Sequence, residues 1–301
     1  INNKIDEMKE GEICLFENIR FNPEEEINDI NFSRNISAHF DYFINDAFSA
    51  SHRNHASIVG LSSFLPSAAG ISFMNEIKNL DNFLNKAKKP NIAIIGGSKI
   101  STKIGVIYNL IDLFDTIVIG GAMANTFLLS NKSRIGKSIV EESYIEIASN
   151  ILERAKLNKC EIILPIDVVC SIDIMDKDNV RMCNVDDIYD DHMILDLGIK
   201  TTKLISEKII KSRSVLWNGP LGAFEYKPFD KSSVEIANTI NKYSKELQID
   251  SMAGGGDTIA AIKLAKAQNG FNCLSNAGGA FLEWLEGKKS PGVIALEENI
   301  L

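Results

Sequence analysis

The sequence predicts an α/β protein of doubly wound parallel sheets in three αβα layers, divided into two domains by one long helix. Three observations carry this. From Pro90 onward, short apolar runs alternate with amphipathic stretches of helical length, and strands alternating with helices build parallel sheets. Glycine corners recur where the apolar runs end: Gly96-Gly97, Gly120-Gly121, Gly198, Gly219, Gly254-Gly255-Gly256 and Gly278-Gly279. Residues 71–89 place Ile71, Met74, Ile77, Leu80, Phe83 and Leu84 on one helical face before Lys88-Lys89-Pro90 ends the run.

In chain order, residues 1–13 read as the end of a helix and Ile13–Phe16 as a short buried strand. A polar, acidic loop follows over 22–31, then a helix from Phe32 to Phe40 with Phe32, Ile36 and Phe40 on one face. Tyr42–Asp46 is a strand entering the 47–57 loop, which carries His52, Arg53 and His55. Arg20 and Arg53 are thus expected past the ends of two consecutive strands, on the edge where open sheets bind ligands. They suit a phosphate or carboxylate, although a solvated loop would need no ligand. After the 71–89 helix come strands at 91–95, 116–119, 161–164, 193–195, 214–217, 247–252 and 272–275. Helices are expected at 101–113, after 121, and at 141–157, 201–211, 230–243 and 259–268, with the last running to 286.

Composition narrows the function. The 301 residues suffice for two domains, and 45% are apolar, enough for a sizeable core. The formal charge of −8 argues against a nucleic-acid or anionic-membrane binder. The longest apolar stretch, 111–129, is interrupted by Asp112 and Asp115, so it is not a membrane span. The cysteines at 14, 160, 170, 183 and 273 form no C-x-x-C pair and read as reduced thiols of a cytosolic protein. Cys170 and Cys183 as metal ligands would need a histidine, and His192 is the closest. The chain starts at Ile1 with no signal-peptide pattern, as a fragment or processed product would.

The most informative stretch is Ser251-Met252-Ala253-Gly254-Gly255-Gly256-Asp257-Thr258, a strand, a tight turn and a helix start. Glycines let backbone approach a phosphate, and the free N–H groups of a helix start attract anions. Asp257 can hold Mg²⁺, and Thr258 can cap the helix or bond a phosphate oxygen; a plain glycine turn with Asp257 as N-cap fits equally. Lys99 and Lys103 follow Gly96-Gly97 at i and i+4, one helix face suited to a phosphate chain or simply to solvent. Glu225, after Trp217-Asn218-Gly219-Pro220, can accept ribose hydroxyls or stand as an exposed acid. Gly136-Lys137-Ser138 lacks the first glycine and the strand of a phosphate-binding P-loop, and neither G-x-G-x-x-G nor G-x-S-x-G occurs.

Nine stretches together resemble the phosphoglycerate kinase family, in its order and spacing over essentially the whole chain. They are LFENIRF (15–21), NDAFSASHRNHAS (45–57), AIIGGSKISTK (93–103), VIGGAMANTFL (118–128), LPIDV (164–168), ILDLG (194–198), VLWNGPLGAFE (215–225), AGGGDT (253–258) and SNAGGAFLEWLEGK (275–288). The resemblance implies a Rossmann-like, bacterial-type cytoplasmic enzyme. It would transfer a phosphoryl group reversibly from 1,3-bisphosphoglycerate to ADP, giving 3-phosphoglycerate and ATP with Mg²⁺. It implies a 3-phosphoglycerate-binding domain at 1–70, an interdomain helix at 71–89 that closes as a hinge, a nucleotide domain at 90–287, and a tail at 288–301 returning to the first domain. A monomer acting on small molecules, without nucleic acid or membrane, is expected. The alternatives are a non-catalytic Mg-nucleotide-binding fragment and an α/β oxidoreductase.

Roles carried over from the resemblance are as follows. Arg20, His52 and Arg53 would contact 3-phosphoglycerate. Lys99, with Gly278 and Gly279 at a helix start, would face the transferring phosphoryl group. Gly97, Ser98 and Lys103 would serve the nucleotide, and Gly120 and Gly121 would line the adenine pocket. Asn218 and Pro220 would shape the site, Glu225 would hold the ribose, and Gly255, Gly256, Asp257 and Thr258 would bind phosphates, with Asp257 addressing the metal. Asn276-Ala277 replaces the family's commonest Thr-Gly, and the small Ala277 should preserve the corner. The family opens with about a quarter of its length that has no counterpart here, including an arginine for the transition state, so the substrate domain is expected to be incomplete and activity of this chain alone is in doubt.

Overall fold

The structure is a computed structural model that describes residues 5 and 7–299. The helix end expected over 1–13 therefore lies partly outside the described residues. The chain forms two compact units: 1–78 with 288–301, and 79–287.

In the first unit, strand β1 (Phe43–Asn45) pairs in parallel with β2 (Ser67–Ala69). Helix α1 (Ile30–Ser37) begins at Asp29, whose carboxylate accepts the Phe32 N–H at 2.7 Å. The C-terminal helix Pro291–Glu298 belongs to this unit and gives its Gly292 N–H to the Ser51 carbonyl at 2.8 Å. The strand expected at 13–16 does not form: Ile13 and Leu15 are 97% and 96% exposed. An apolar run is buried as a strand only when a neighbour pairs with it, and no strand among the described residues does.

Helix α2 (Ile71–Lys86) crosses the division between the units, at Lys78/Asn79. Its start is held by Asp46, which accepts the Phe73 N–H at 2.8 Å; that bond holds the Asp46 carboxyl below its usual range. Its inward stripe is Phe73, Ile77, Leu80 and Leu84, whereas the expected Ile71 is 81% exposed. The i, i+4, i+7, i+11 spacing starting at Phe73 sets that face. The helix stops before 89 because a residue preceding proline is pushed out of the α region, and the Lys88 N–H goes to Ser214 Oγ instead.

The second unit contains, in chain order, β3 (Asn91–Ile95), α3 (Ile104–Leu113), β4 (Thr116–Ile119), α4 (Met123–Ser130), α5 (Ile145–Leu157), β5 (Glu161–Ile163), β6 (Asp167–Ser171), β7 (Arg181–Asn184), β8 (Met193–Leu197), α6 (Ile199–Lys211), β9 (Ser214–Asn218), α7 (Lys231–Glu246), β10 (Asp250–Gly254), α8 (Gly256–Leu264), β11 (Cys273–Ser275) and α9 (Gly279–Leu285). Six strands form one parallel sheet in the order β11-β10-β9-β3-β4-β5. Strands β3, β4 and β9 are buried at every residue, as strands covered on both faces must be. Trp217, Ile92, Ile94, Ile205 and Ile240 anchor the core.

One expectation fails here. Residues 193–197 are not part of the parallel sheet but pair antiparallel with β6, which also pairs with β7, in a separate three-stranded sheet. The sequence shows no strand at β7 because Arg181, Met182 and Asn184 are exposed and no apolar alternation marks it. Gly198 therefore does not sit on the ligand edge. A Cβ there would come within 2.2 Å of the Asp167 carboxyl carbon, so this glycine makes room for packing.

Candidate active site

The carboxyl ends of β3, β4 and β9 meet by backbone alone. Gly97 N–H donates to the Pro220 carbonyl at 3.0 Å and Gly121 N–H to that of Leu221 at 2.9 Å. A Cβ on Gly96 would lie 2.0 Å from the Pro220 oxygen. Beside this crossing opens a cleft of about 310 Å³. Ile139, Pro165, Ile194, Leu195 and Phe224 supply apolar wall; Gly97, Ser98, Gly121, Pro220, Glu225 and Asp257 line it as well. Gly120 lies behind, against Leu221. An apolar slot with a few polar groups at its mouth accepts a flat ring with a polar tail.

Against Gly97, which lines the cleft, stands a buried cation. Lys103 is only 8% exposed and its ammonium donates to Asn218 Oδ1. Asn218 in turn donates through Nδ2 to the Gly254 carbonyl at 2.7 Å, tying β9 to β10. Burial lowers the Lys103 pKa to about 8, partly opposed by the Asp257 carboxylate. Lys99 and Lys103 do not share a helix face: both precede α3, with Lys103 at its N-cap and Lys99 exposed in the preceding loop. The Gly-rich corner consumes the first turn that the i, i+4 reading assumed. Glu141 secures this loop, accepting Ser101 N–H at 3.0 Å and Ser101 Oγ–H at 2.6 Å. Burial raises the Glu141 pKa, but these bonds outweigh it and the net shift is downward. Nothing in the sequence singled Glu141 out, since its partner is forty residues away.

Helix α8 starts without a side-chain cap; its N-cap is Gly255, at φ +97°. Asp257 is therefore not the cap, and its exposed carboxylate makes no hydrogen bond or ion pair among the described residues. Thr258 does not cap either: it is buried, and its Oγ1 accepts the Gly219 N–H at 2.6 Å. Gly256 faces open space, with no atom within 4 Å of where a Cβ would stand. Gly278, at the start of α9, is equally open with φ +49°. The Asn276-Ala277 corner is compact, with Ala277 N–H on Ser275 Oγ at 3.3 Å. In the cleft wall, burial raises the Asp196 pKa to about 7 against the opposing bonds from Ser232 and the Leu197 N–H.

In the first unit, Arg20 stands in a 3-10 turn (Ile19–Phe21), not past a strand end, because the 13–16 strand is absent. Its Nε lies 3.9 Å from Glu25 Oε2. Glu25 is fully buried and also receives Ser57 Oγ–H at 2.5 Å and faces His55 Nδ1 at 3.1 Å. The sequence placed Glu25 in a solvated acidic loop; its burial follows from partners thirty residues away. Arg53 is half-buried without an ion pair among the described residues, and His52 Nδ1, Ser51 Oγ and Asn45 Nδ2 are buried without a partner. Among the described residues no three His, Cys, Asp or Glu side chains gather as a metal site.

Fold and cleft define a class: a doubly wound α/β protein with its ligand edge at the carboxyl ends of parallel strands. Comparison with known proteins gives the family. The family model "Phosphoglycerate kinase" matches residues 1–288. The phosphoglycerate kinase of Chelativorans sp. (strain BNC1) is 44% identical over 294 residues, covering 98% of this chain and 74% of that protein. That of Granulibacter bethesdensis is 44% identical over 289 residues, 96% and 73%. The structure of phosphoglycerate kinase from Coxiella burnetii superposes with a TM-score of 0.86 at 33% identity, covering 93% of this chain and 72% of that one. The Pyrococcus horikoshii enzyme gives 0.85 at 28%, covering 99% and 75%. The chain belongs to the phosphoglycerate kinase family. It is a glycolytic phosphotransferase that uses ATP and ADP, and the oxidoreductase alternative falls away. No described helix is long and apolar enough to cross a membrane.

Proposed function

We propose that the nucleotide half of the reaction runs in this cleft, with the base between the β8 wall and Pro220, and the ribose at Glu225. The phosphates then lie over Gly255, Gly256 and the uncapped start of α8, where N–H groups and the helix dipole favour anions. Lys103 meets them from below, and Thr258, whose oxygen already accepts a bond, has its hydroxyl proton to donate. The observation that carries this reading is Lys103 itself: a cation buried beside an open glycine turn, with its ammonium held by a neutral amide. A buried cation is costly unless an anion completes it.

Asp257 fits a Mg²⁺ ligand, because its carboxylate is exposed and unbonded at the same turn. One carboxylate plus substrate phosphates suffices for this ion. When bound, Mg²⁺ neutralises phosphate charge. Lys99, Gly278 and Gly279 are assigned to the transferring phosphoryl group, where cations stabilise equatorial oxygens during in-line transfer. Glu141 holds the loop that presents Lys99. Arg20, His52 and Arg53 are assigned to 3-phosphoglycerate, supported by the unpartnered polar atoms at His52 and Ser51. The first unit is then the substrate domain and the second the nucleotide domain, with α2 as the hinge of a cytoplasmic monomer that does not bind nucleic acid. Calorimetry of ADP binding with and without Mg²⁺ tests the metal assignment: Asp257→Ala should weaken Mg-ADP much more than metal-free ADP. Equal losses would remove Asp257 from the metal.

A further inference from the structure

Cys170 and Cys183, which the nucleotide site does not use, stand with their sulfurs 3.4 Å apart across the β6–β7 pair. Both are free thiols; Cys170 is fully buried and Cys183 half-buried. We propose that this pair is a reversible oxidation site, closed to a disulfide by a peroxide, and that closing it loosens the nucleotide cleft.

The chemistry balances with hydrogen peroxide as the oxidant. The Cys183 sulfur, the one solvent reaches, attacks a peroxide oxygen; an S–O bond forms, the O–O bond breaks, and one water leaves. Cys183 is then a sulfenic acid, oxidised by two electrons. The Cys170 sulfur attacks it, the S–S bond forms, and the S–O oxygen leaves as a second water with the Cys170 proton. Burial and the adjacent Cys183 sulfur hold the Cys170 thiol above its usual range, so it is not the sulfur that meets peroxide first; its place 3.4 Å from Cys183 is what makes it the resolving partner.

The coupling follows from register. Cys183 faces Val168 and Cys170 faces Arg181, so the two are diagonal neighbours. Diagonal Cα atoms lie about 7–8 Å apart, beyond the usual disulfide span of about 4.4–6.8 Å, so closure draws Cys170 toward β7. The other side of β6 is already irregular: Val169 faces Asp196 and Cys170 faces Ile194, which leaves Leu195 as an extra residue in β8. Ile194, Leu195 and Asp196 line the cleft, as does Ile174 in the segment the bond would close. Pulling Cys170 away from β8 therefore moves one wall.

The test treats the chain with hydrogen peroxide and maps its peptides without reduction, then measures ADP affinity by calorimetry before and after. The expected result is one linked Cys170–Cys183 peptide pair, lighter by two hydrogens and separable by a dithiol. ADP binding should weaken roughly threefold or more and recover on reduction, and the loss should be absent in Cys183→Ser. Peroxide that leaves only sulfinic or sulfonic acid on Cys183, or links it to another cysteine, overturns the site. A link that forms with no change in ADP affinity overturns the coupling. The coupling rests on the nucleotide reading of the cleft; reduced protein without ADP affinity would refute that reading, whatever the peptide map shows.

Discussion

Lys103→Met should stabilise the ligand-free protein and cripple its nucleotide site. The Lys103 pKa falls from 10.5 to about 8 on folding. At about 1.4 kcal/mol per unit, the buried charge costs about 3 kcal/mol near neutral pH. The folded state sheds its proton first, so between pH 8 and 10.5 the unfolded chain binds more protons and stability rises with pH. Below pH 8 the cost is fully present. Methionine keeps the volume and removes the charge, but strands Asn218 Oδ1, a loss of about 1–3 kcal/mol. The net gain near pH 7 is then about 0–2 kcal/mol, or up to several degrees in Tm for a unit of this size. Denaturant titrations of both proteins at several pH values measure it. The advantage of the variant over the wild type should shrink as pH climbs from 8 toward 10, while Mg-ADP affinity of the variant at pH 7 is lost by roughly tenfold or more. A difference between the two proteins that is flat across that window would refute the burial argument. So would a variant that binds Mg-ADP as tightly as wild type.

Gly256→Ala adds a methyl group to open space; it should leave the melting temperature within a degree or so and weaken ADP binding, whereas Gly96→Ala, 2.0 Å from the Pro220 oxygen, should unfold the ligand edge outright. Equal ADP affinity in Gly256→Ala, by calorimetry, would move the phosphates away from that turn. Lys99→Ala should lower kcat in a coupled assay with little change in the nucleotide Kd, since a group aimed at the transferring phosphoryl acts mainly in the transition state; a raised Kd with kcat intact would make it a ground-state contact. Glu25→Ala should destabilise the first unit by about 2–3 kcal/mol through the unpaired Ser57 and His55, and unchanged hydrogen-exchange protection over 19–60 would count against that.

What the sequence made legible was the part written in local pattern. Strands β3, β4 and β9 are continuous apolar runs ended by glycine, and they form within a residue of expectation. Of the residues expected at the nucleotide edge, Gly97, Ser98, Gly121, Pro220, Glu225 and Asp257 line one cleft, because a parallel sheet delivers its strand ends to one side. What stayed hidden depended on distant partners. Glu25 looks solvated until His55 and Ser57 close over it. Lys103 looks like half of an exposed lysine pair until Asn218, more than a hundred residues on, takes its ammonium. Asp257 and Thr258 look like caps; Gly255, at φ +97°, takes the N-cap position, and Thr258 turns inward to Gly219.

The misassigned β8 shows why the second sheet exists at all. The carboxyl edge of a parallel sheet offers glycine corners and N–H groups, which suit phosphates, but it is an open crevice that gives a flat apolar ring only one face. A second wall must come from elsewhere in the chain. Residues 193–197 supply it by leaving the parallel order and pairing antiparallel with β6, so that Ile194 and Leu195 line the cleft together with Pro220 and Leu221. The cost of holding that wall in place is visible in Asp196. A carboxylate is buried to receive the Ser232 and Leu197 N–H groups and so fix β8 to the start of α7, and its pKa rises to about 7 as a result. Below pH 7 this acid takes up its proton and can accept fewer bonds. The folded chain takes that proton before the unfolded one, whose carboxyl titrates near 3.8, so mild acid relieves the cost of burying Asp196 and adds stability as pH falls from about 7 toward 3.8.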